Sequence, residues 1–236
     1  MWVRSLEVKK FFELYWKQKK LRWFDQYYDF LDTINQDVFN RLSLSQKRRI
    51  LLVGIGETDD VVFFKETGSE IVSIDIARNI LKWGDFFMSV QMDANKLAFK
   101  KKSFDIVFLR TVLLHCDHSA LLREVRRVLR EGGRFFWIEP LKNNFLLWVY
   151  RLLLSPGKMT RLNYLTYEDL RSFDRTFHTV WHRECYLFSV VLIPVFLFIP
   201  WLRKPVRLLQ GFEMKIVDRV HFLRRFCWIS YGYAEV

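Results

Sequence analysis

Cysteine is scarce in this chain: 236 residues hold three, Cys116, Cys185 and Cys227. They are odd in number, widely separated and without CxxC spacing, which excludes a disulfide framework and a cysteine-based zinc site and points to a reducing, cytosolic compartment. Acidic residues are short as well. With 26 Asp and Glu against 38 Lys and Arg, the formal charge is +12, and the field of the molecule favours anionic partners: phosphates, an anionic lipid surface or an acidic substrate. No repeat or low-complexity tract occurs, and residues 1–20 lack the apolar core and small-residue cleavage site of a secretory leader. A comfortable bilayer span is missing too. The uncharged segment from Tyr186 to Leu202 has 17 residues, Pro194 and Pro200 among them, against the roughly 20 that a span requires.

What is present is a greasy globular composition. Half of the residues are hydrophobic and a quarter charged, which excludes disorder and a polytopic membrane protein, and the length suits one α/β catalytic unit with some decoration. From Val8 to Asn40 apolar residues recur at helical spacing (Phe11, Phe12, Leu14, Tyr15, then Trp23, Tyr27, Phe30, Leu31, Ile34) and predict amphipathic helices that cover a core. Ile50 to Val53 is an unbroken apolar run of the kind that forms a strand buried on both faces. Further strands are predicted at Ile71 to Ile74, Phe104 to Leu109 and Arg134 to Ile138. Helical stretches near Asp59 to Glu66, Ala77 to Phe87 and Ser119 to Arg130 separate them. That alternation implies right-handed βαβ crossovers and a doubly wound, Rossmann-like parallel sheet with helices on both faces.

Residues able to carry chemistry follow the strands in order. Gly54-Ile55-Gly56 leaves the first strand and opens a helix, a turn that lets backbone approach a cofactor closely. Asp75 ends the next strand, 19 residues after Gly56, where a carboxylate can accept from both hydroxyls of a ribose or cap the following helix. Asp93-Ala94 stands in the loop before the strand at Phe104, where a carboxylate can accept from an adenine amino group. His115, after the fourth strand, has an ordinary pKa near 6.5 that suits proton transfer, or it packs at a helix start. His118 is expected in solvent near a cap at Ser119. His178 and His182 fall four apart on a possible helix face, with neither an HExxH pattern nor a cysteine partner to make them a metal site.

The chain resembles the class I S-adenosylmethionine-dependent methyltransferases, in particular the small-molecule, ubiquinone-methyltransferase-like branch. The likeness rests on ILLVGIG (Ile50 to Gly56), SIDIARNIL (Ser73 to Leu81), MDANKLAFKKKSFDIVF (Met92 to Phe108) and LLREVRRVLREGGRFFWIEP (Leu121 to Pro140), and more loosely on LTYEDL (Leu165 to Leu170) and a last strand from Cys227 to Ala234. It implies a mostly parallel seven-stranded sheet with a helical cap at 1–44 and a methyltransferase domain at 45–236. Within that domain it implies a cofactor half at 49–140, a substrate side with an apolar insertion at 141–218 and a final strand region at 219–236.

By the same resemblance S-adenosyl-L-methionine is the cofactor. Gly54, Ile55 and Gly56 line its methionine part, Asp75 and Ile76 its ribose and adenine, and Asp93 and Ala94 the adenine edge. Arg110 lends backbone to the methionine end, and His115 lies where the methyl group is approached. Leu52 and Thr58 depart from the family pattern, which has an acid and a third glycine there, and imply weaker cofactor binding than is usual. The acceptor is expected to be a small molecule or lipid-linked. The segment 186–207, apolar and then basic, either caps the acceptor pocket or meets an anionic membrane surface. Nucleic-acid methylation is disfavoured because the fourth strand ends in Leu109-Arg110-Thr111-Val112 without an Asn/Asp-Pro-Pro-aromatic turn. A non-catalytic, degenerate partner protein is the remaining alternative.

Overall fold

A computed structural model describes residues 9, 30–42, 47–54, 64, 67–78, 88–154 and 162–236. Seven strands form one sheet: β1 (Arg49–Val53), β2 (Glu70–Asp75), β3 (Met88–Gln91), β4 (Phe104–Arg110), β5 (Leu129–Pro140), β6 (Thr179–Cys185) and β7 (Ile229–Glu235), in the order β3-β2-β1-β4-β5-β7-β6. Pairings from β3 through β5 are parallel, and β7 alone runs antiparallel, between β5 and β6. All strands but β7 therefore point their carboxyl ends at one edge of the sheet. The predicted strands at Ile50, Ile71, Phe104 and Arg134 are β1, β2, β4 and β5.

Alternation along the strands sorts their side chains into two cores. Ile50, Leu52, Ile106, Phe108, Phe136, Ile138 and Tyr231 face one side, with α1 (Asp32–Leu42) packed on them through Ile34, Val38 and Leu42 at helical spacing. Leu51, Val53, Val107, Leu109, Phe135 and Trp137 face the other, covered by α2 (His118–Val128) and α4 (Tyr167–Thr176). Leu52 is thus buried beneath α1. Tyr231 Oη donates to Asp37 Oδ2 (2.8 Å) and the Arg41 guanidinium lies 3.6 Å from the centre of the Trp181 ring, which ties α1 across β6 and β7. At Gly232 a Cβ would lie 2.2 Å from the Trp181 carbonyl oxygen, so only glycine lets β7 pass β6 there.

Two expectations are corrected. The stretch around His178 and His182 is β6 and not a helix: β-branched and aromatic residues pair it along its length with β7. His182 donates to or accepts from the buried Glu184 through Nδ1 (2.6 Å), while His178 precedes the strand. The helix expected to reach Arg130 stops at Val128, and Leu129 already pairs with Phe104. After Pro140 come α3 (Phe145–Leu154), α5 (Ile193–Phe198) and α6 (Arg203–Arg219), with 3-10 turns at Ser189–Leu192 and Pro200–Leu202. Of the helix predicted near Asp59 to Glu66 only Phe64 is described, and of that predicted from Ala77 to Phe87 only Ala77 and Arg78; the N-terminal apolar residues from Phe11 to Tyr27 lie outside the described residues.

Candidate active site

Gly54 leaves β1 at φ +68°, and its N–H donates to the Ile74 carbonyl (2.8 Å). A Cβ on Gly54 would stand 2.3 Å from Val112 Cγ2 in the turn after β4, so two backbone turns meet here in a cradle that any side chain would fill. Ile55 and Gly56, the rest of the predicted glycine turn, lie outside the described residues. One strand over, Asp75 ends β2 with a largely buried side chain whose Oδ1 accepts from Ala77 N (2.8 Å) in a local turn. The Gln91 amide, at the end of β3, donates to the Ile76 carbonyl (2.9 Å) and fixes the backbone beyond Asp75.

Asp93 and Ala94 follow β3. Asp93 Oδ1 accepts from the backbone and side-chain nitrogens of Asn95 (2.9 and 2.8 Å), and Asn95 Oδ1 accepts in turn from Asp117 N (2.9 Å). That chain of contacts joins the loop after β3 to the start of α2. Asp117, not Ser119, caps this helix by accepting from Ala120 N (3.0 Å). His118 correspondingly is not in solvent: its side chain is 13 % exposed and its Nε2 meets the Asn163 carbonyl (2.9 Å).

The turn after β4 is the most constrained part of the site. Arg110, at the strand end, is buried, and its Nη2 donates to Asn35 Oδ1 on α1 (2.7 Å). Thr111 follows at φ +57°, an uncommon conformation for a β-branched residue. Val112 N (2.6 Å) and Leu113 N (2.9 Å) then donate to one carboxyl oxygen of Glu139, which is fully buried at the end of β5. Burial pushes the Glu139 carboxyl up to about 8, although the backbone donors work in the opposite sense. Among the described residues Glu139 Oε2 has no hydrogen-bond partner.

In the sequence Glu139 stands only as the end of a motif. A carboxylate closing a strand of apolar residues was the available signal. His115 closes the 3-10 turn Leu113–His115, and burial lowers its pKa to about 4, so the imidazole is neutral at physiological pH.

Gly54, Asp75, Asp93, Ala94, Arg110 and His115 are thus gathered along the carboxyl edges of β1 to β4, the place where open α/β sheets bind their ligands. The cradle at Gly54 and the carboxylate ending β2 fit a nucleoside whose other end reaches the turn after β4. Among the described residues, no three His, Cys, Asp or Glu side chains are grouped to hold a metal ion.

This sheet order, with Gly54 and the strand-end carboxylate of Asp75 on its carboxyl edge, is that of the Rossmann-like methyltransferase fold. Residues 51–137 match the family model described as a methyltransferase domain. A curated relative, the sterol 4-C-methyltransferase of Caenorhabditis elegans, is 23% identical over 125 residues. That alignment covers 48% of this chain and only 37% of the relative's length.

Among the solved structures that share the fold, two were determined with ligands of unlike chemistry. One is geranyl diphosphate C-methyltransferase of Streptomyces coelicolor A3(2), bound to Mg2+, geranyl diphosphate and S-adenosyl-L-homocysteine; its TM-score is 0.58 at 17% identity, over 86% of this chain and 79% of that one. The other is phosphoethanolamine N-methyltransferase 2 of Haemonchus contortus, bound to phosphomonomethylethanolamine and S-adenosylhomocysteine, with TM-score 0.58 at 17% identity over 85% and 52%.

Proposed function

We propose that this protein transfers a methyl group from S-adenosyl-L-methionine to an O, N or C nucleophile of a small-molecule or lipid-linked acceptor, in the manner of the ubiquinone-methyltransferase-like branch. The observation that carries the reading is the junction of Gly54, Asp75 and the turn after β4 at one sheet edge, within the segment that matches the methyltransferase domain. The structural neighbours bind the demethylated cofactor with acceptors as unlike as a prenyl diphosphate and a phosphobase, so the fold itself leaves the acceptor atom open.

Asp75 is suited to accept from the ribose hydroxyls, Ile76 and Ala94 to flank the adenine, and Asp93 to meet its amino group. Gly54, with Ile55 and Gly56, would bring backbone to the methionine portion, with Arg110 backbone beside it. When bound, the cofactor supplies an electrophilic methyl carbon on a sulfonium. The chain's contribution is alignment of the acceptor and exclusion of water, terms that can account for most of such a displacement. His115, neutral and three-residue-turn bound, would orient an acceptor hydroxyl and not store its proton. The apolar and basic segment 186–207 supports an acceptor held at or delivered from an anionic lipid surface.

The test is calorimetric titration with S-adenosylmethionine. The expected result is binding by the wild-type chain and loss of at least tenfold in affinity in Asp75→Ala, with circular dichroism unchanged. A wild-type chain that takes up no cofactor at millimolar concentration would overturn the proposal in favour of a non-catalytic partner protein.

A further inference from the structure

Among the described residues, every exposed large hydrophobic side chain except Met88 falls within 145–153 or 188–222. These are not scattered surface residues. α3 (FLLWVYRLLL) is apolar around most of its circumference, a composition expected of a buried or membrane-associated helix, yet Phe145, Trp148, Tyr150, Leu152 and Leu153 are exposed. α6 buries Val206, Gln210, Met214 and Val217 along one stripe. Its opposite stripe runs Lys204, Leu208, Phe212, Lys215 at successive turns, all exposed, so two apolar residues stand outward between two lysines. Between these helices Phe198 and Trp201 are exposed by 72% and 76%.

The pieces are held together by buried polar contacts. The Asn144 amide, at the start of α3, donates to the carbonyls of Leu187 (3.0 Å) and Phe226 (2.9 Å). Glu213 of α6, itself buried, accepts from the backbone nitrogens of Phe188 and Ser189. Both chain segments leave the sheet side by side, one after Pro140 of β5 and the other after Cys185 of β6, since both residues pair with Ile229. That is the carboxyl edge on which Gly54 and Asp75 lie.

We infer that α3, the 188–202 region and the outward stripe of α6 form one docking face that inserts shallowly into an anionic lipid bilayer. Charge selects this occupant. Residues 141–154 and 186–212 contain Lys142, Arg151, Arg203, Lys204 and Arg207 and no acidic residue, in a chain of 26 acids. A second copy of the chain would bring the same cations against themselves, whereas anionic headgroups complement them and the two tryptophans, Trp148 and Trp201, suit the headgroup boundary. No described helix is long and apolar enough to cross a membrane, so insertion from one side is the remaining geometry. The inference rests on the proposed lipid-linked acceptor for its purpose, since the face adjoins the cofactor edge, but the surface chemistry stands without turnover.

The experiment is co-sedimentation of the full chain with vesicles of phosphatidylcholine alone or with 30% phosphatidylglycerol (~0.1 and ~0.5 M salt, where surface charges are screened to different extents), beside cofactor titration of the same samples. Wild type is expected to pellet with anionic vesicles and to quench tryptophan emission against brominated lipid. The double variant Leu208→Glu/Phe212→Glu, and separately Trp201→Glu, should bind at least tenfold more weakly with melting temperature and cofactor affinity unchanged. Unaltered vesicle binding in both variants would overturn the docking face, as would absence of wild-type binding. A concentration-dependent dimer that the same substitutions dissolve would also overturn it and assign the face to self-association. Intact cofactor binding with no vesicle binding fails the docking inference alone, and the reverse fails the methyltransferase reading alone.

Discussion

Glu139 and His115 flank the turn after β4, and burial moves their pKa values away from the charged form of each. From its ordinary 4.5 the Glu139 carboxyl rises to about 8, so between those values the folded state holds a proton that the unfolded chain has released, and stability falls as pH rises. His115 goes from 6.5 to about 4, so across that interval the unfolded chain holds the extra proton and stability falls as pH drops. The two slopes oppose each other below pH 6.5, and above it only that of Glu139 remains.

Melting temperature should therefore decline from pH 6.5 to 8 in the wild type and stay flatter in Glu139→Gln, which keeps an oxygen for Val112 N and Leu113 N. Equal slopes in the two proteins would show that Glu139 is ionised throughout. Glu139→Ala leaves both N–H groups without their acceptor and should cost about 1–3 kcal/mol, read by urea denaturation. Gly54→Ala adds a methyl where Val112 already stands and demands φ +68° of an L residue, a strain of about 1–2 kcal/mol; its cofactor affinity should fall more than its stability. The place of Asp75 at a strand end was legible in the sequence because its strand is a local apolar run. Glu139 was not, because its role depends on a turn 26 residues earlier in the chain.

At the scale of elements, legibility followed burial. β1, β2, β4 and β5 lie inside the sheet and read as continuous apolar runs, whereas β3 and β6 form its two edges and are largely half-exposed. β6 (TVWHREC) carries three polar side chains in succession, His182 to Glu184, and its histidine spacing mimicked a helix face. The apolar stretch after Cys185 was visible as composition, but not the way it breaks into short turns before α6. Those turns depend on Glu213, whose carboxylate receives the backbone of Phe188 and Ser189 from 24 or more residues away. Glu213→Ala should loosen α6 from this region and lower stability by about 1–3 kcal/mol. Glu213→Gln should recover part of that loss in the same denaturation measurement. A Glu213→Ala protein as stable as wild type would mean that apolar packing alone seats the helix.

For the whole molecule, what the sequence conveyed was the part built from successive crossovers. From Arg49 to Pro140 each strand pairs parallel with a neighbour supplied by a short connection, and motif order reveals the sheet. The far side is assembled by distant partners: β7 inserts antiparallel between β5 and β6, setting Arg134 against Glu235. Family resemblance could suggest a last strand, while periodicity gave no direction for it. If the proposed cofactor contacts come from the ends of several strands at once, binding should stabilise the assembled sheet and not one loop. At a ligand concentration a hundredfold above Kd, linkage contributes about 2.7 kcal/mol. In a domain of this size that corresponds to roughly 5–11 °C in melting temperature. Leu52, buried under α1, offers no carboxylate to the cofactor's amino group, so this shift should require S-adenosylmethionine well above low-micromolar concentration. Scanning calorimetry across a ligand series checks both statements: saturation at a few micromolar would refute the affinity argument, and a shift that persists in Asp75→Ala would place the ligand elsewhere.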